Sequence, residues 1–292
     1  MRKICLLLFA LLSVFYADAE GIKSVTISVV PEKIYVNQRF RVEARLEILG
    51  NADPEHIRIA GMPDEHNAGV FIDQWELKDQ VRTTDNASSM KLTRILLSAE
   101  AVATNALALS ARPAAIVSMV SSFGFFSRSF TLRKAAPPLE LEILPLPEPA
   151  PEGFSGAVGR FTLIGKVTPS NVFTGEVVKV SLILSGDGEV NGVQSPTLVK
   201  PDANLFKIYA PREKTRSNGE ISVEQEWIPL NRQAKTIGPA SIICFNPYEG
   251  RYQTLTAGPF ELTFRADSEL QAGKTIQVIE PEVEAVPVPS SA

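Results

Sequence analysis

The residue types best suited to chemistry in this chain are its two histidines, His56 and His66. Each closes a short acidic phrase, DPEH or PDEH, which also places Asp53 and Asp64 close to an imidazole. Imidazole and carboxylate groups could form a metal- or glycan-binding site if the two segments converged; the alternative is a pair of solvated polar turns. Spacing alone supplies no convergent geometry. We therefore predict no bound metal or cofactor, and the candidate ligands that a structure would have to bring together are His56, His66, Asp53 and Asp64.

The loop from Asp187 to Gly192 reads DGEVNG and resembles the first half of a calcium-binding loop. Oxygen-bearing groups alternate along it and glycine occupies its sixth position, as such loops require. The twelfth position, where a bidentate carboxylate completes a calcium site, is Leu198. We therefore interpret DGEVNG as a glycine-rich turn that follows a strand.

No nucleophile motif is complete in the sequence. Ser88 and Lys91 form a Ser-x-x-Lys tetrapeptide, but the Ser-Asp-Asn and Lys-Thr-Gly companions of penicillin-recognising enzymes are missing. The stretch PEGFSGAVGRF, residues 151–161, lacks both the Gly-Lys-Ser/Thr of a phosphate loop and the Gly-x-Ser-x-Gly of a nucleophile elbow. Cys244 lies in the alternating run SIICF, which favours a buried, inert thiol. We predict no catalytic residue, although carboxylates that converge in a cleft would remain an alternative.

The elements that would position these residues are strands. Apolar and charged residues alternate along RFRVEARLEI, residues 39–48, so one face would pack in a core and the other would face water. The apolar positions of this run are Phe40, Val42, Ala44, Leu46 and Ile48.

The same phrase returns after the glycine-rich stretch, which indicates a duplicated module. Placing Pro31 on Pro169 keeps the strand parity, because the buried face of the first copy falls on a run of apolar residues in the second. A slip of one residue would exchange the buried and solvated faces, so this agreement supports a true repeat. The matched pairs are Ile34 and Val172, Tyr35 and Phe173, Asn37 and Gly175, Gln38 and Glu176, Arg41 and Lys179, Phe40 and Val178, Val42 and Val180, Ala44 and Leu182, and Leu46 and Leu184.

The repeat weakens downstream. We match the run FTLRK, which begins at Phe130, with FELTF, which begins at Phe260. The alanine-rich run of residues 95–111, ILLSAEAVATNALALSA, locally prefers helix. Correspondence between the copies favours strand there, with a short helical insertion left open. Short runs separated by turn residues are typical of a β-sandwich.

These patterns predict an all-β fold with two tandem Ig-like β-sandwich domains, a proline-rich linker and a disordered C-terminal tail. Pro145, Pro147, Pro149 and Pro151 withhold amide donors, so we expect a stiff connector rather than a central strand. Phe154 would hold this connector in place by packing between the modules. The predicted boundaries are a signal peptide at 1–19, the first domain at 20–136, the linker at 137–153, the second domain at 154–267 and the tail at 268–292.

The first residues predict export. The run MRKICLLLFALLSVFYADA combines two cations, a short apolar stretch and small residues before a cleavage site, as signal peptides do. The net charge of −4 gives no reason to expect nucleic acid as a partner. After cleavage only Cys244 remains, so no internal disulfide can form. We expect a periplasmic or otherwise exported protein with no transmembrane helix in its mature chain.

The second half of the chain resembles the BatD family, the exported bacterial aerotolerance or oxygen tolerance proteins. The resemblance is carried by LPLPEPAPEGFSGAVGRF, by VTPSNVFTGEVVKVSLILSGDGEV and by the aromatic series LFKIYAP, EWIPL and FNPYEGRYQTLTAGPFELTF. It covers nearly the whole second module and, more loosely, residues 22–48. The positions that fit the family pattern are Phe154, Gly156, Gly159, Phe161, Gly175, Gly186, Pro196, Phe206, Tyr209, Pro229, Phe245, Pro247 and Tyr252.

The resemblance implies an envelope protein that associates with membrane proteins carrying von Willebrand factor type A domains and with a MoxR-type ATPase. It brings no catalytic residues. Family members commonly continue into a C-terminal transmembrane helix, which this chain lacks, so membrane association would depend on partners or on an uncleaved signal. We expect a non-enzymatic scaffold that acts through protein contacts.

Overall fold

The structure, a computed structural model, describes residues 21–266 apart from Ala87, Gly124, Phe125 and Asn218. The predicted signal peptide and tail therefore lie outside the described residues. Within them, nearly all regular structure is strand, and the one helix is the single turn α1 (Glu65–Ala68). The described chain contains no helix of the length and apolar character that a membrane crossing requires. The predicted all-β fold is confirmed.

The strands form two groups, which we call the first lobe (residues 21–144) and the second lobe (residues 154–264). Among the described residues, no sheet combines strands of both lobes. The first-lobe strands are β1 (Gly21–Val30), β2 (Ile34–Tyr35), β3 (Arg39–Leu49), β4 (Asp53–Ala60), β5 (Val70–Ile72), β6 (Glu76–Thr84), β7 (Lys91–Ala103), β8 (Leu107–Ala111), β9 (Ala114–Phe123), β10 (Phe126–Ala135) and β11 (Leu139–Leu144). The second-lobe strands are β12 (Phe154–Val158), β13 (Phe161–Thr168), β14 (Asn171–Val172), β15 (Val178–Gly186), β16 (Thr197–Leu198), β17 (Phe206–Ile208), β18 (Arg212–Ser217), β19 (Glu220–Pro229), β20 (Thr236–Ile237), β21 (Ala240–Asn246), β22 (Arg251–Ala257), β23 (Phe260–Glu261) and β24 (Thr263–Phe264).

The first lobe is a β-sandwich. One layer has the order β1-β3-β7-β5, with β6 also paired to β7, and the other layer comprises the sheets β10-β9-β4 and β2-β11-β8. Apolar residues of both layers fill the space between them. The predicted inward face of β3 is confirmed, since each of its five apolar residues is at most 2% exposed: Phe40, Val42, Ala44, Leu46 and Ile48.

The second lobe repeats the first ladder by ladder. The pairs β1 with β3, β3 with β7, and β9 with β10 reappear as β13 with β15, β15 with β19, and β21 with β22, all antiparallel. The parallel pair of β2 with β11 reappears as β14 with β24. Every pairing of the first lobe therefore has a counterpart of the same direction in the second, which confirms the predicted duplication.

The turn after β2 and β14 shows the repeat at atomic detail. Asn37 and Gly175 both have a left-handed backbone, with φ of 61° and 86°, which glycine and asparagine tolerate better than other residues. The side-chain oxygen of Gln38 accepts the N–H of Tyr35 at 2.9 Å. The carboxylate of Glu176, its counterpart, closes the second turn in the same way. The alignment that placed Pro31 on Pro169 is therefore correct in register.

The predicted match between FTLRK and FELTF is wrong. Phe130 lies on β10, whose counterpart is β22, whereas Phe260 lies on β23. The true counterpart of FELTF is LELEIL, because Ile143 pairs with Ile34 as Phe264 pairs with Val172. The prolines that border LELEIL at 138 and 145 suggested a continuous linker and hid this alternating run.

The predicted linker 137–153 consequently contains a central strand. Strand β11 lies between β2 and β8, with Leu139, Leu141 and Ile143 at 7%, 3% and 2% exposed. The three apolar side chains on one face stabilise the strand by packing in the core. The neighbouring prolines do not disrupt it, because none of them falls within the hydrogen-bonded ladder. The extended connector is limited to residues 145–153.

The alanine-rich run 95–111 forms strands β7 and β8 rather than helix. Ala99, Ala101 and Ala103 all face the core and are at most 3% exposed. Their small size matches the narrow space between the layers, so packing overrides the local helical preference of alanine.

Candidate interaction surface

The structure places the two histidines on different elements. His56 is exposed on β4, opposite Ser118 of β9. His66 lies on α1 and lines a shallow surface cavity with Asn105. Since a strand rises ~3.3 Å per residue, the chain runs ~13 Å from His56 to Ala60 before it turns towards α1. The DPEH phrase is thus part of a strand and not the polar turn that its composition suggested.

Asp53 and Asp64 do not complete a ligand set with these histidines. Asp53 forms ion pairs with Lys91 and, at 3.5 Å, with Arg82, and the hydrogen bond from Lys91 lowers the pKa of its carboxyl group. The backbone carbonyl of Asp64 accepts the N–H of Ala68 at 3.0 Å and closes α1. The described part of the chain holds no group of three or more His, Cys, Asp or Glu side chains that could bind a metal ion.

The carboxylates of the DGEVNG loop are also engaged within the protein. Asp187 accepts the backbone N–H of Arg160 at 2.7 Å. Glu189 accepts the N–H of Asn191 at 2.9 Å and forms an ion pair of 2.7 Å with Arg39 of the first lobe. Burial works to raise the pKa of Glu189, but these hydrogen bonds outweigh it and the pKa is lowered. The loop therefore stabilises a contact between the lobes.

The two candidate nucleophiles have structural roles. Ser88 donates its hydroxyl to Asp85 at 2.9 Å, while Lys91 pairs with Asp53, so the Ser-x-x-Lys residues point to separate carboxylates. Cys244 is 3% exposed, and burial raises the pKa of its thiol to about 11. The predicted buried, inert thiol agrees with this environment.

Aromatic rings join the two lobes. Tyr35 of β2 meets Phe245 of β21 edge to face, with ring centroids 4.9 Å apart, and Phe245 meets Tyr252 of β22 at 5.1 Å. Phe154 packs on Tyr252 at 5.1 Å, and the Tyr252 hydroxyl donates to the carbonyl of Pro147 in the connector at 3.0 Å. We call these four rings the aromatic joint. Phe154 thus packs at the joint, as expected, and the connector is held against the second lobe.

A cleft of about 380 Å³ is lined by residues of both lobes. Arg39 spans it towards Glu189, and Asp73 and Glu100 of the first lobe line the same cleft. The Nε of Arg39 is buried and has no hydrogen-bond partner in the described residues. The ion pair adds a polar contact to the apolar contacts of the joint.

The outer face of the sheet β10-β9-β4 is basic. Inward-pointing Ile57, Phe130 and Leu132 pack against the first-lobe core, so alternate residues of the same strands point outward. Register places these outward residues in rows across the sheet. One row consists of Arg58, Ile116 and Arg133, and the next of His56, Ser118 and Thr131. We call these six residues the basic face.

The two arginines of the basic face have no ion-pair partner among the described residues. Arg58 and Arg133 are exposed, and neither forms an ion pair within the described chain. Two strand spacings of ~4.8 Å place their backbones ~10 Å apart, on either side of the half-buried Ile116. The carboxylates of the three strands are Asp53, which already has partners, and the exposed Glu55, which directly precedes His56 on β4.

Strand β10 is also an unpaired edge. Its one strand neighbour among the described residues is β9, and an edge strand presents free N–H and C=O groups to a partner. Phe126 at its start is 82% exposed. Arg128, Arg133 and Lys134 follow, and β10 carries no acidic residue. This edge therefore combines backbone hydrogen-bonding groups with positive charge.

The exposed strand β6 on the opposite layer differs in charge. Its Lys78 pairs with Glu76 and its Arg82 pairs with Asp53. Both signs alternate along β6, which makes it a suitable control for β10.

No motif in the sequence singles out Arg58 and Arg133. Each arginine lies in a short alternating run. That the two lie in one row of the sheet follows only from the register of β4 and β10 on β9. The antiparallel pairing of β9 with β10 could have been inferred from the two runs that lie on either side of residues 123–126. The pairing of β4 with β9 joins distant segments and leaves no comparable signal.

Comparisons with known proteins do not assign the chain to a family. No family model matches it, and no curated protein matches it. Two solved structures are similar to 82% of this chain at 13% identity: the Yersinia pseudotuberculosis adhesin InvE, with a TM-score of 0.22, and invasin, a bacterial integrin-binding protein, with a TM-score of 0.20. The chain spans 60% and 41% of their lengths. Likeness of this degree defines neither the fold nor the function of this chain.

Proposed function

We propose that this protein is a non-enzymatic, exported scaffold of the cell envelope that binds an extended acidic segment of a partner protein. The single observation that carries the proposal is the basic face beside the unpaired edge of β10. The partner strand would add to β10 through backbone hydrogen bonds. Its carboxylates would meet Arg133 on β10 directly, while Arg58, which lies on β4 beyond β9, would attract them through its longer-range positive charge.

The aromatic joint supports a scaffold role. A scaffold holds its binding surfaces at fixed positions relative to one another. The joint combines packed rings, a hydrogen bond to the connector and the ion pair of Arg39 with Glu189. Apolar packing between lobes opposes relative motion more than polar contacts do.

We also propose that the partner is a membrane protein with a von Willebrand factor type A domain, as in the BatD family. Support for this finer statement comes from the sequence resemblance of the second lobe. The metal- or glycan-binding alternative is not carried forward, because the ligand set it requires is not assembled. His56 enters the proposal as a neighbour of the two arginines.

Affinity purification from gently crosslinked envelopes tests the proposal. The wild-type protein should retain a partner, and the double variant Arg58→Glu/Arg133→Glu should lose it about tenfold or more, since electrostatic complementarity would become repulsion. Arg82→Glu on β6 is the matched control and should retain the partner. Equal recovery with the double variant, or no partner for the wild type, would contradict the scaffold function. A retained partner without a type A domain would contradict only the BatD-type assignment.

A further inference from the structure

The chain itself contains an acidic segment of the kind that the proposed function assigns to a partner. Residues 275–286 read TIQVIEPEVEAV and lie outside the described part of the chain. From residue 275 onwards the sequence has three glutamates and no lysine, arginine or histidine. We call residues 275–286 the tail segment. Its charge is opposite to that of β10, whose ionisable residues are Arg128, Arg133 and Lys134.

The glutamates of the tail segment fall at alternate positions. Glu280, Glu282 and Glu284 are two residues apart, so in an extended chain their side chains leave the same face at intervals of ~6.6 Å. The outward residues Thr131 and Arg133 of β10 alternate in the same way. A strand added to β10 would therefore place a row of carboxylates beside the basic face, and opposite charges on neighbouring strands stabilise the pairing.

The prolines of this part of the chain occupy only the other set of positions. Pro281, Pro287 and Pro289 have odd numbers, whereas all three glutamates have even numbers. The N–H and C=O groups of successive strand residues point to opposite edges, so one edge of the tail segment keeps all its amide donors while the other loses those of the prolines.

This arrangement suits a strand at the border of a sheet. The even-numbered edge can pair with β10, and the outer edge, which carries the prolines, resists the addition of a further strand. One of the two strand directions combines amides that face β10 with glutamates on the outer face of the sheet.

The described chain ends on the side of the second lobe that faces away from the first lobe. Strand β24 ends at Phe264, and the guanidinium of the following Arg265 lies 4.8 Å from the ring centroid of Phe173. Strand β15 begins just after the turn that carries Phe173, and it ends at the loop whose Glu189 contacts the first lobe. Its nine residues separate these two ends of the lobe by ~26 Å.

Strand β10 of the same chain lies farther away still. Its Phe130 and Leu132 pack in the core cluster that contains Leu46, whereas β3 begins at Arg39, at the contact between the lobes. The run of β3 from Arg39 to Leu46 adds ~23 Å. The eight residues between the described chain and the tail segment span at most ~30 Å. The tail segment is thus too close to its own second lobe to reach its own β10, and a second copy must supply the edge.

We propose that the tail segment of one copy adds as an outer strand to β10 of a second copy. Its glutamates meet Arg133 directly and are attracted by Arg58 at longer range. The inference rests on the proposed function, because it uses the same edge and the same basic face. The protein without its envelope partner associates head to tail, in open chains or closed rings, and the partner's acidic segment displaces the tail segment from β10.

Sedimentation velocity of the purified full-length protein over a range of concentrations tests the inference. We expect the average mass of the wild type to rise with concentration. Glu280→Lys/Glu282→Lys/Glu284→Lys and Arg58→Glu/Arg133→Glu should each weaken association about tenfold or more, because like charges then meet. The chain that carries all five substitutions should recover most of the association, since opposite charges face each other again.

Proline substitutions test the pairing edge. Val278→Pro removes an even-numbered amide and should weaken association about tenfold, whereas Val283→Pro spares the paired amides and should stay within about twofold of the wild type. The matched charge control is Asp267→Lys/Glu269→Lys, which lies in the same part of the chain but outside the tail segment. It should associate like the wild type.

Three outcomes would overturn the inference: a wild type that is monomeric at every concentration, equal effects of the two prolines, and no recovery in the chain with five substitutions. Each leaves the proposed function standing if an envelope partner is still captured through Arg58 and Arg133. Association of the purified protein without any captured partner would have the reverse meaning, because the inference would hold and the proposed function would fail.

Discussion

At the scale of single residues, the side chains that first suggest chemistry serve the fold. Ser88 closes a turn through Asp85, Glu189 links the lobes through Arg39, and Cys244 is a core residue. Each is engaged by a partner or enclosed by apolar groups. The functional candidates are instead two arginines, Arg58 and Arg133, that lack such partners among the described residues.

The thiol of Cys244 should be unreactive in the folded protein. Burial raises its pKa from 9.0 to about 11, so at about pH 8 the thiolate fraction is roughly a hundredfold smaller than in the unfolded chain. Iodoacetamide labelling should be slower by at least that factor than in urea. Because the folded pKa is the higher one, the contribution of this thiol to stability is full below about pH 9 and is lost as the pH rises towards 11. Equal labelling of native and unfolded protein would contradict the buried position.

The left-handed turn residues provide a second test. Gly175→Ala should cost about 1–2 kcal/mol, because φ is 86° and a Cβ is strained there, although it would meet no atom within 4 Å. Gly175→Asn should cost less, since asparagine holds the equivalent position 37. Urea denaturation measures both, with Asn37→Gly as the control that should change stability by less than about 0.5 kcal/mol. Equal costs for alanine and asparagine would argue against backbone strain as the cause.

At the scale of elements, the alternating runs predicted which strands form and which of their faces are buried. The inward faces of β3 and β15 follow from the pattern alone, because a strand alternates whatever its partner is. Pairing partners do not follow from it. The match of Phe130 with Phe260 failed for this reason: two similar runs occupy different places in their sandwiches. Strand β11 was missed because the prolines on either side of it suggested one continuous linker.

The status of β11 as a core strand can be measured. Leu141→Ala should cost about 2–5 kcal/mol in urea denaturation, as truncation of a buried leucine does. Glu142→Ala, the exposed neighbour on the same strand, should change stability by less than about 0.5 kcal/mol. If the two substitutions had the same small effect, residues 139–144 would behave as a linker.

At the scale of the whole molecule, the two lobes meet through the aromatic joint and the ion pair of Arg39 with Glu189. The rings that form the joint are Tyr35, Phe154, Phe245 and Tyr252. Three of them belong to the second lobe and could be noticed in its aromatic-rich segments. Their contact with Tyr35 depends on how the lobes are placed, which no local pattern encodes. The same limit applies to the basic face, whose arginines come from β4 and β10.

Charge exchange tests the contact between the lobes. Arg39→Glu and Glu189→Arg should each lower stability, and the double variant should recover part of the loss. The side chains are 31% and 22% exposed, so we expect a coupling of about 1 kcal/mol from a double-mutant cycle. Strictly additive effects would show that the two residues do not interact.

The central claim is that the protein acts by binding a partner at the basic face and edge of β10. Site-specific photo-crosslinking in living cells tests it most directly, with the crosslinker at Thr131 of the basic face and, as a control, at Thr83 of β6. We predict one discrete crosslinked partner from Thr131, abolished by Arg58→Glu/Arg133→Glu, and none from Thr83. Absence of a crosslink at Thr131, or the same product from both positions, would contradict the account.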